Sequence, residues 1–131
     1  MYMDYYSKVC DTLEYIEKNL DDKISLDDLA RKAHLSKYYY HRLFHKIVGE
    51  SVTKYINKLR MEKASEELIQ TSQPIINIAL KYQYGSQEAF SRAFSRIYGL
   101  TPGRYRKIYS YSKSNNVNIN IRFNKVLNIA A

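Results

Sequence analysis

The sequence predicts an all-α protein: two homeodomain-like helix-turn-helix units joined by one long linker helix, about seven helices in total. Three observations lead there. The first is a repeat at a spacing of fifty residues. Ser36-Lys-Tyr-Tyr-Tyr-His-Arg-Leu-Phe44, with Gly49 and Ser51 beyond it, returns as Ser86-Gln-Glu-Ala-Phe-Ser-Arg-Ala-Phe94, with Gly99 and Thr101 beyond it. Tyr40 matches Phe90, Arg42 matches Arg92, Phe44 matches Phe94 and Ile47 matches Ile97, so one supersecondary unit is used twice. The second is scarce turn punctuation, with 4 glycines and 2 prolines in 131 residues. The third is apolar spacing of three and four residues along most of the chain.

The elements follow in order. Val9, Leu13, Ile16 and Leu20 make an amphipathic helix from about residue 4 to 19. Ser25, with Asp28 three residues on, opens a second helix through an approximate capping box, and Leu26, Leu29, Ala30 and Ala33 are its apolar side. His34-Leu35 is a short turn. Ser36 caps a third helix, which Gly49 stops in a left-handed conformation. Ser51 caps a longer fourth helix, to about Ile69, with an apolar stripe of Val52, Tyr55, Ile56, Leu59, Ala64 and Leu68; Lys54, Lys58, Arg60 and Lys63 decorate its other faces. Pro74 suits the first turn of a fifth helix containing Ile75, Ile78, Ala79 and Tyr82. Ser86 caps a sixth, to about Tyr98. Thr101 caps a seventh, with Pro102 at its first position, ending near Tyr109.

The expected organisation is therefore an acidic helix packed on the first unit at 1–22, a first helix-turn-helix at 23–50, the linker helix at 51–72, a second helix-turn-helix at 73–109, and a tail at 110–131. In the tail, Val117, Ile119, Ile121 and Phe123 alternate with polar residues in a strand pattern. A lone strand has nothing to pair with, so the tail is expected to be a flexible end or the stub of a further domain.

Charge is unevenly spread. The net charge is +8, yet residues 1–30 hold eight acids against three bases, and the remainder holds eighteen bases against five acids. An acidic end on a strongly basic body suggests a polyanionic partner. No apolar run approaches the ~18 residues of a membrane span. Met1-Tyr-Met-Asp-Tyr-Tyr lacks the pattern of a secretory leader, and the single Cys10 excludes an internal disulfide and suits a reducing cytoplasm. No Gly-rich phosphate loop, Ser-His-Asp pattern or carboxylate pair stands out, so no enzyme and no cofactor are expected. His41 and His45 lie one turn apart, but without a further ligand nearby in sequence they do not argue for a metal.

Spacing separates two faces on each repeated helix. Tyr40, Leu43, Phe44 and Ile47 form a core stripe, and Phe90, Ala93, Phe94 and Ile97 form its counterpart. Tyr38, His41, Arg42 and His45 point elsewhere, as do Glu88, Ser91, Arg92 and Ser95, with Lys37 and Gln87 beside them. These outward groups are of the kind that read base edges: Arg pairs with guanine, Gln with adenine, and Glu accepts from cytosine. Ser36 and Ser86 stand at helix starts, where backbone amides can grip phosphate. At ~1.5 Å per residue the linker is about 27 Å long, close to the roughly 34 Å turn of B-DNA.

From Ile24 to Arg106 the chain resembles the DNA-binding domain of the AraC/XylS family of bacterial transcription regulators. The residues are Leu29-Ala30-x-x-Ala33, Ser36-x-x-Tyr39-x-x-Arg42-x-Phe44, Gly49-x-Ser51, Tyr55-Ile56-x-x-x-Arg60-Met61 and Ala64 in the first half. The second half has Ile75-x-x-Ile78-Ala79, Ser86, Phe90-Ser91-Arg92-x-Phe94 and Gly99-x-Thr101-Pro102-x-x-Tyr105-Arg106. The resemblance implies an asymmetric double-stranded DNA site bound by a monomer, unless a further domain dimerises it, and a contact with RNA polymerase, with activation favoured over repression. By position, Tyr38, His41 and Arg42 would read bases in the first unit, and Gln87, Glu88, Ser91 and Arg92 in the second. Lys37, Lys46 and Lys81 would join Ser36 and Ser86 at phosphates. Position 83 is Gln where the family usually has Gly, and Gly85 is expected to help that turn. Glu88 either selects cytosine or weakens binding. The chain is either a naturally small regulator without a sensor domain or a fragment of a longer one. Two other readings are a protein-interaction module that opposes another regulator, and a non-specific architectural DNA binder.

Overall fold

The computed structural model describes residues 2–114. The strand-like pattern at 117–123 lies outside the described residues. Among those described there are seven helices and no strand, as the sequence predicts. They fall into two compact units that divide between Arg60 and Met61.

The first unit contains α1 (Tyr2–Lys18), α2 (Leu26–Lys32), α3 (Lys37–Val48) and the first half of α4 (Val52–Gln70). Its core takes Val9, Ile16 and Leu20 from α1 and the residues after it, Leu29, Ala30 and Ala33 from α2 and its end, and Tyr40 and Phe44 from α3. One buried polar group escapes the apolar pattern. Thr12 is buried; its hydroxyl donates to the Val9 carbonyl at 2.6 Å and accepts from the Tyr40 hydroxyl at 2.8 Å. Burial pushes the Tyr40 phenol up, against the smaller opposite effect of Thr12, so it stays a protonated donor at neutral pH. This hydrogen-bonded chain ties α1 to α3 and satisfies both the Thr12 and the Tyr40 hydroxyls.

Arg60 departs from expectation. Read as a surface decoration, it folds back instead: Nε donates to the Leu20 carbonyl at 3.0 Å and Nη2 to the Asp22 carbonyl at 2.7 Å. The chain leaving α1 presents carbonyls that no helical amide can reach, and the guanidinium fork satisfies two of them.

The second unit contains the rest of α4, then α5 (Ile75–Lys81), α6 (Gln87–Tyr98) and α7 (Pro102–Ser114). Its centre is aromatic. Phe94 lies 5.7 Å from Phe90, 4.5 Å from Tyr98 and 5.0 Å from Tyr105, ring centre to ring centre. Met61, Ala64, Leu68 and Ile69 from α4 are buried, so the helix buries a wider face than the single predicted stripe. Arg106 Nε donates to the Leu68 carbonyl at 2.8 Å near the end of α4, much as Arg60 serves the end of α1. Pro74 is one place earlier than expected: with φ −56° and ψ 143° it is extended and precedes the helix. Its carbonyl accepts from the Asn77 and Ile78 amides. Helix α7 continues to Ser114 rather than ending near Tyr109. Tyr109 is buried with its ring 4.5 Å from that of Tyr105, one turn earlier, and no Gly or Pro follows to break the helix.

The two helix-turn-helix turns are built alike. His34 (φ 56°) and Gln83 (φ 71°) both adopt the left-handed conformation. The next amides, of Leu35 and Tyr84, then donate to the carbonyls of Ala30 and Ala79, each at 3.0 Å. Ser36 follows Leu35 directly, whereas Gly85 intervenes between Tyr84 and Ser86. The second turn therefore keeps its shape with Gln at position 83. The bend falls on Gln83 itself, and Gly85, which has no positive φ, is the one extra residue of the second turn. A left-handed non-glycine residue costs roughly 1–2 kcal/mol. Gln83→Gly is therefore expected to stabilise the second unit by about 0.5–1 kcal/mol after glycine's greater chain entropy is subtracted. Chemical denaturation would register it as a higher midpoint at unchanged slope.

Candidate nucleic-acid interface

Each unit holds one helix between a serine cap and a left-handed glycine. The Ser36 hydroxyl accepts the Tyr39 amide at 3.2 Å, and the Ser86 hydroxyl accepts the Ala89 amide at 3.1 Å. Gly49 (φ 92°) and Gly99 (φ 75°) close α3 and α6, donating their amides to the His45 and Ser95 carbonyls at 2.8 Å. The core stripes hold these helices by Tyr40 and Phe44 on one and by Phe90, Phe94 and Tyr98 on the other. What remains outward on each is fixed by helical periodicity.

On α3, Tyr38, His41 and Arg42 are all exposed. Tyr38 is 71% exposed. The Arg42 guanidinium lies over its ring at 5.7 Å, one turn on, so the aromatic face steadies the cation without taking its donors. Lys46 continues this line by one further turn and is exposed. Lys37 sits beside it, exposed, with its ammonium 3.6 Å from the Asp27 carboxylate. On α6, Gln87, Glu88 and Arg92 are exposed and Ser91 is half-buried. The two capping hydroxyls are already engaged by helix amides, so Ser36 and Ser86 offer chiefly the helix start itself. Lys81 is committed more heavily: its ammonium pairs with Glu67 and lies 5.5 Å from the centre of the Tyr82 ring.

Apart from Lys81, which ends α5 before the turn, the predicted residues gather into two groups, one per unit, each on or at the start of a capped helix that follows a tight turn. Tyr39, which enters the sequence analysis only as a residue of the family resemblance, is 41% exposed, and its ring meets that of Tyr5 on α1 edge-on at 5.7 Å. A signal was present: three successive tyrosines, at 100° steps around a helix, cannot all enter one core. Only Tyr40 does.

Two capped helices, each offering an arginine, a hydrogen-bonding neighbour and no apolar seam, define a protein of the helix-turn-helix class that reads nucleic acid. The comparisons with known proteins agree. A family model described as a helix-turn-helix domain matches residues 29–108. The chain is 46% identical over 97 residues to the transposon Tn10 TetD protein of Escherichia coli, covering 74% of this chain and 70% of that one. It is 40% identical over 100 residues to the HTH-type transcriptional activator AarP of Providencia stuartii, covering 76% and 74%. Among solved structures, an AraC-type DNA-binding-domain regulator from Chromobacterium violaceum superposes with a TM-score of 0.73 at 28% identity, over 80% of this chain and 94% of that one. The chain belongs to the AraC/XylS family, as a DNA-binding domain of transcription regulators rather than an enzyme. It spans only 35% and 38% of some longer relatives. No helix among the described residues is long and apolar enough to cross a membrane.

Proposed function

We propose that this chain is a sequence-specific transcription activator of the bacterial cytoplasm. It binds an asymmetric promoter site as a monomer, sets α3 and α6 into successive major grooves, and then contacts RNA polymerase. The observation that carries the reading is the equivalence of Arg42 and Arg92. Both are exposed, both stand six residues after a serine cap, and both lie on helices closed by a left-handed glycine. A bidentate arginine on guanine is the commonest specific base contact. Tyr38 and His41 flank the first arginine; Gln87, Glu88 and Ser91 flank the second, with Glu88 suited to accept from a cytosine amine. Lys37 and Lys46, and the amides at the α3 and α6 starts, serve phosphates, and Lys81 does so by exchanging Glu67 for the strand. AarP, described as an activator, supports the sign of regulation.

Two experiments test this reading. Competition with unrelated duplex at rising salt should leave a specific complex standing after non-specific complexes have dissociated; parallel loss of both would leave only the architectural reading. Run-off transcription from a promoter carrying the bound site should rise on adding the chain, and a fall would make it a repressor.

A further inference from the structure

The base-reading side of α3 has a neighbour on α1. Tyr39 follows Tyr38 in the first turn of α3, and its ring is met edge-on by Tyr5 at 5.7 Å. The Lys8 ammonium lies 5.6 Å from the centre of the Tyr5 ring and 3.5 Å from the Asp4 carboxylate. Asp4 is well exposed, at 69% of its side chain, and Lys8 less so, at 28%. Lys8, Tyr5 and Tyr39 therefore form one strip that ends beside Tyr38.

Groove dimensions give that strip a role. An α-helix with its side chains is about 10–12 Å across and the major groove about 12 Å wide. A recognition helix fills the groove, so residues flanking its base-reading line meet the phosphate walls. Tyr39 is such a residue, displaced by about 100° from Tyr38. The side it turns to is the side occupied by the first turns of α1.

We propose that the DNA surface of the first unit continues from α3 onto the amino-terminal turns of α1. Tyr39 contacts a backbone phosphate through its hydroxyl, and Tyr5 is a positioning residue that holds the Tyr39 ring. Lys8 exchanges Asp4 for a neighbouring phosphate of the same strand. Asp4 then acts as a built-in brake, because its carboxylate both occupies Lys8 and repels the strand. This inference rests on α3 being a recognition helix.

The test uses the full chain and duplexes that it selects from a random pool, with affinity measured across a salt series. Arg42→Ala serves as the control for α3. Lys8→Gln is expected to lower the slope of log affinity against log salt by about 0.9, the loss of one neutralised phosphate. Tyr39→Ala is expected to weaken binding about tenfold, one order of magnitude of a charge-assisted hydrogen bond. Asp4→Asn should tighten binding a few-fold when Lys8 is present and by clearly less in the Lys8→Gln background, where only the repulsion of the strand is relieved. Ethylation of one particular phosphate should block the wild type but not Lys8→Gln. If Arg42→Ala weakens binding while the Lys8 and Tyr39 variants, equally folded by thermal melting, keep wild-type slope and affinity, the α1 extension is wrong and the reading of α3 stands. If Arg42→Ala also binds as wild type, both fall together.

Discussion

Arg42→Ala and Arg92→Ala are each expected to weaken binding to the specific duplex by ~1–3 kcal/mol, roughly 5- to 150-fold. The loss should be confined to matched DNA. A bidentate pair is made only when guanine stands at the right position, whereas binding to unrelated sequence loses a single positive charge among many. Each variant should relax base preference at one position, the first in one block of the site and the second in the other. Arg42 and Arg92 belong to different units, so the double variant should lose close to the sum. Both are exposed, so melting temperature should scarcely move. Anisotropy titrations on matched and mutated duplexes measure the affinities, and thermal melting measures the stability. Wild-type affinity in both single variants would mean that the outward faces are assigned to the wrong residues.

Phe94→Ala is the largest expected stability effect. The ring is fully buried and touches three other aromatic rings, from Phe90, Tyr98 and Tyr105. Removing it leaves a cavity that these stiff neighbours cannot collapse to fill, at a cost of about 3–5 kcal/mol. Small domains have only ~5–15 kcal/mol of stability to lose. Denaturation should show the second unit unfolding well before the first, and DNA binding should retain only what the first unit supplies. The equivalent Phe44→Ala should do the reverse, because Phe44 packs against Tyr40 and Tyr55 of the first unit. A single cooperative transition shifted equally by both variants would argue against two separately stabilised units.

Much of this was legible in the residues because the informative signals are local. Ser36, Ser51, Ser86 and Thr101 all cap the helices expected of them, each accepting the amide three residues on. Gly49 and Gly99 stop helices in the expected left-handed form. The core stripes of α3 and α6 follow from period alone. What was not legible depends on partners distant in sequence. Nothing near Arg60 announces that its guanidinium will serve carbonyls some forty residues earlier, or that Thr12 will meet Tyr40. Position 83 is the left-handed turn position, as the resemblance implies, but that Gln would adopt that conformation there depends on the Tyr84 amide reaching the Ala79 carbonyl. The exposure of Arg42 and Arg92 at equivalent helix positions follows from the repeat, which fixes their register. The contact of Tyr39 with Tyr5 was not legible because the two lie thirty-four residues apart.

Selection of bound duplexes from a random pool, followed by sequencing, bears most directly on the claim that one chain reads DNA with two helices. An asymmetric motif with two informative blocks centred about one helical turn apart, roughly 10–10.5 base pairs, is the predicted result. A single informative block, or no enrichment from folded protein, would contradict it.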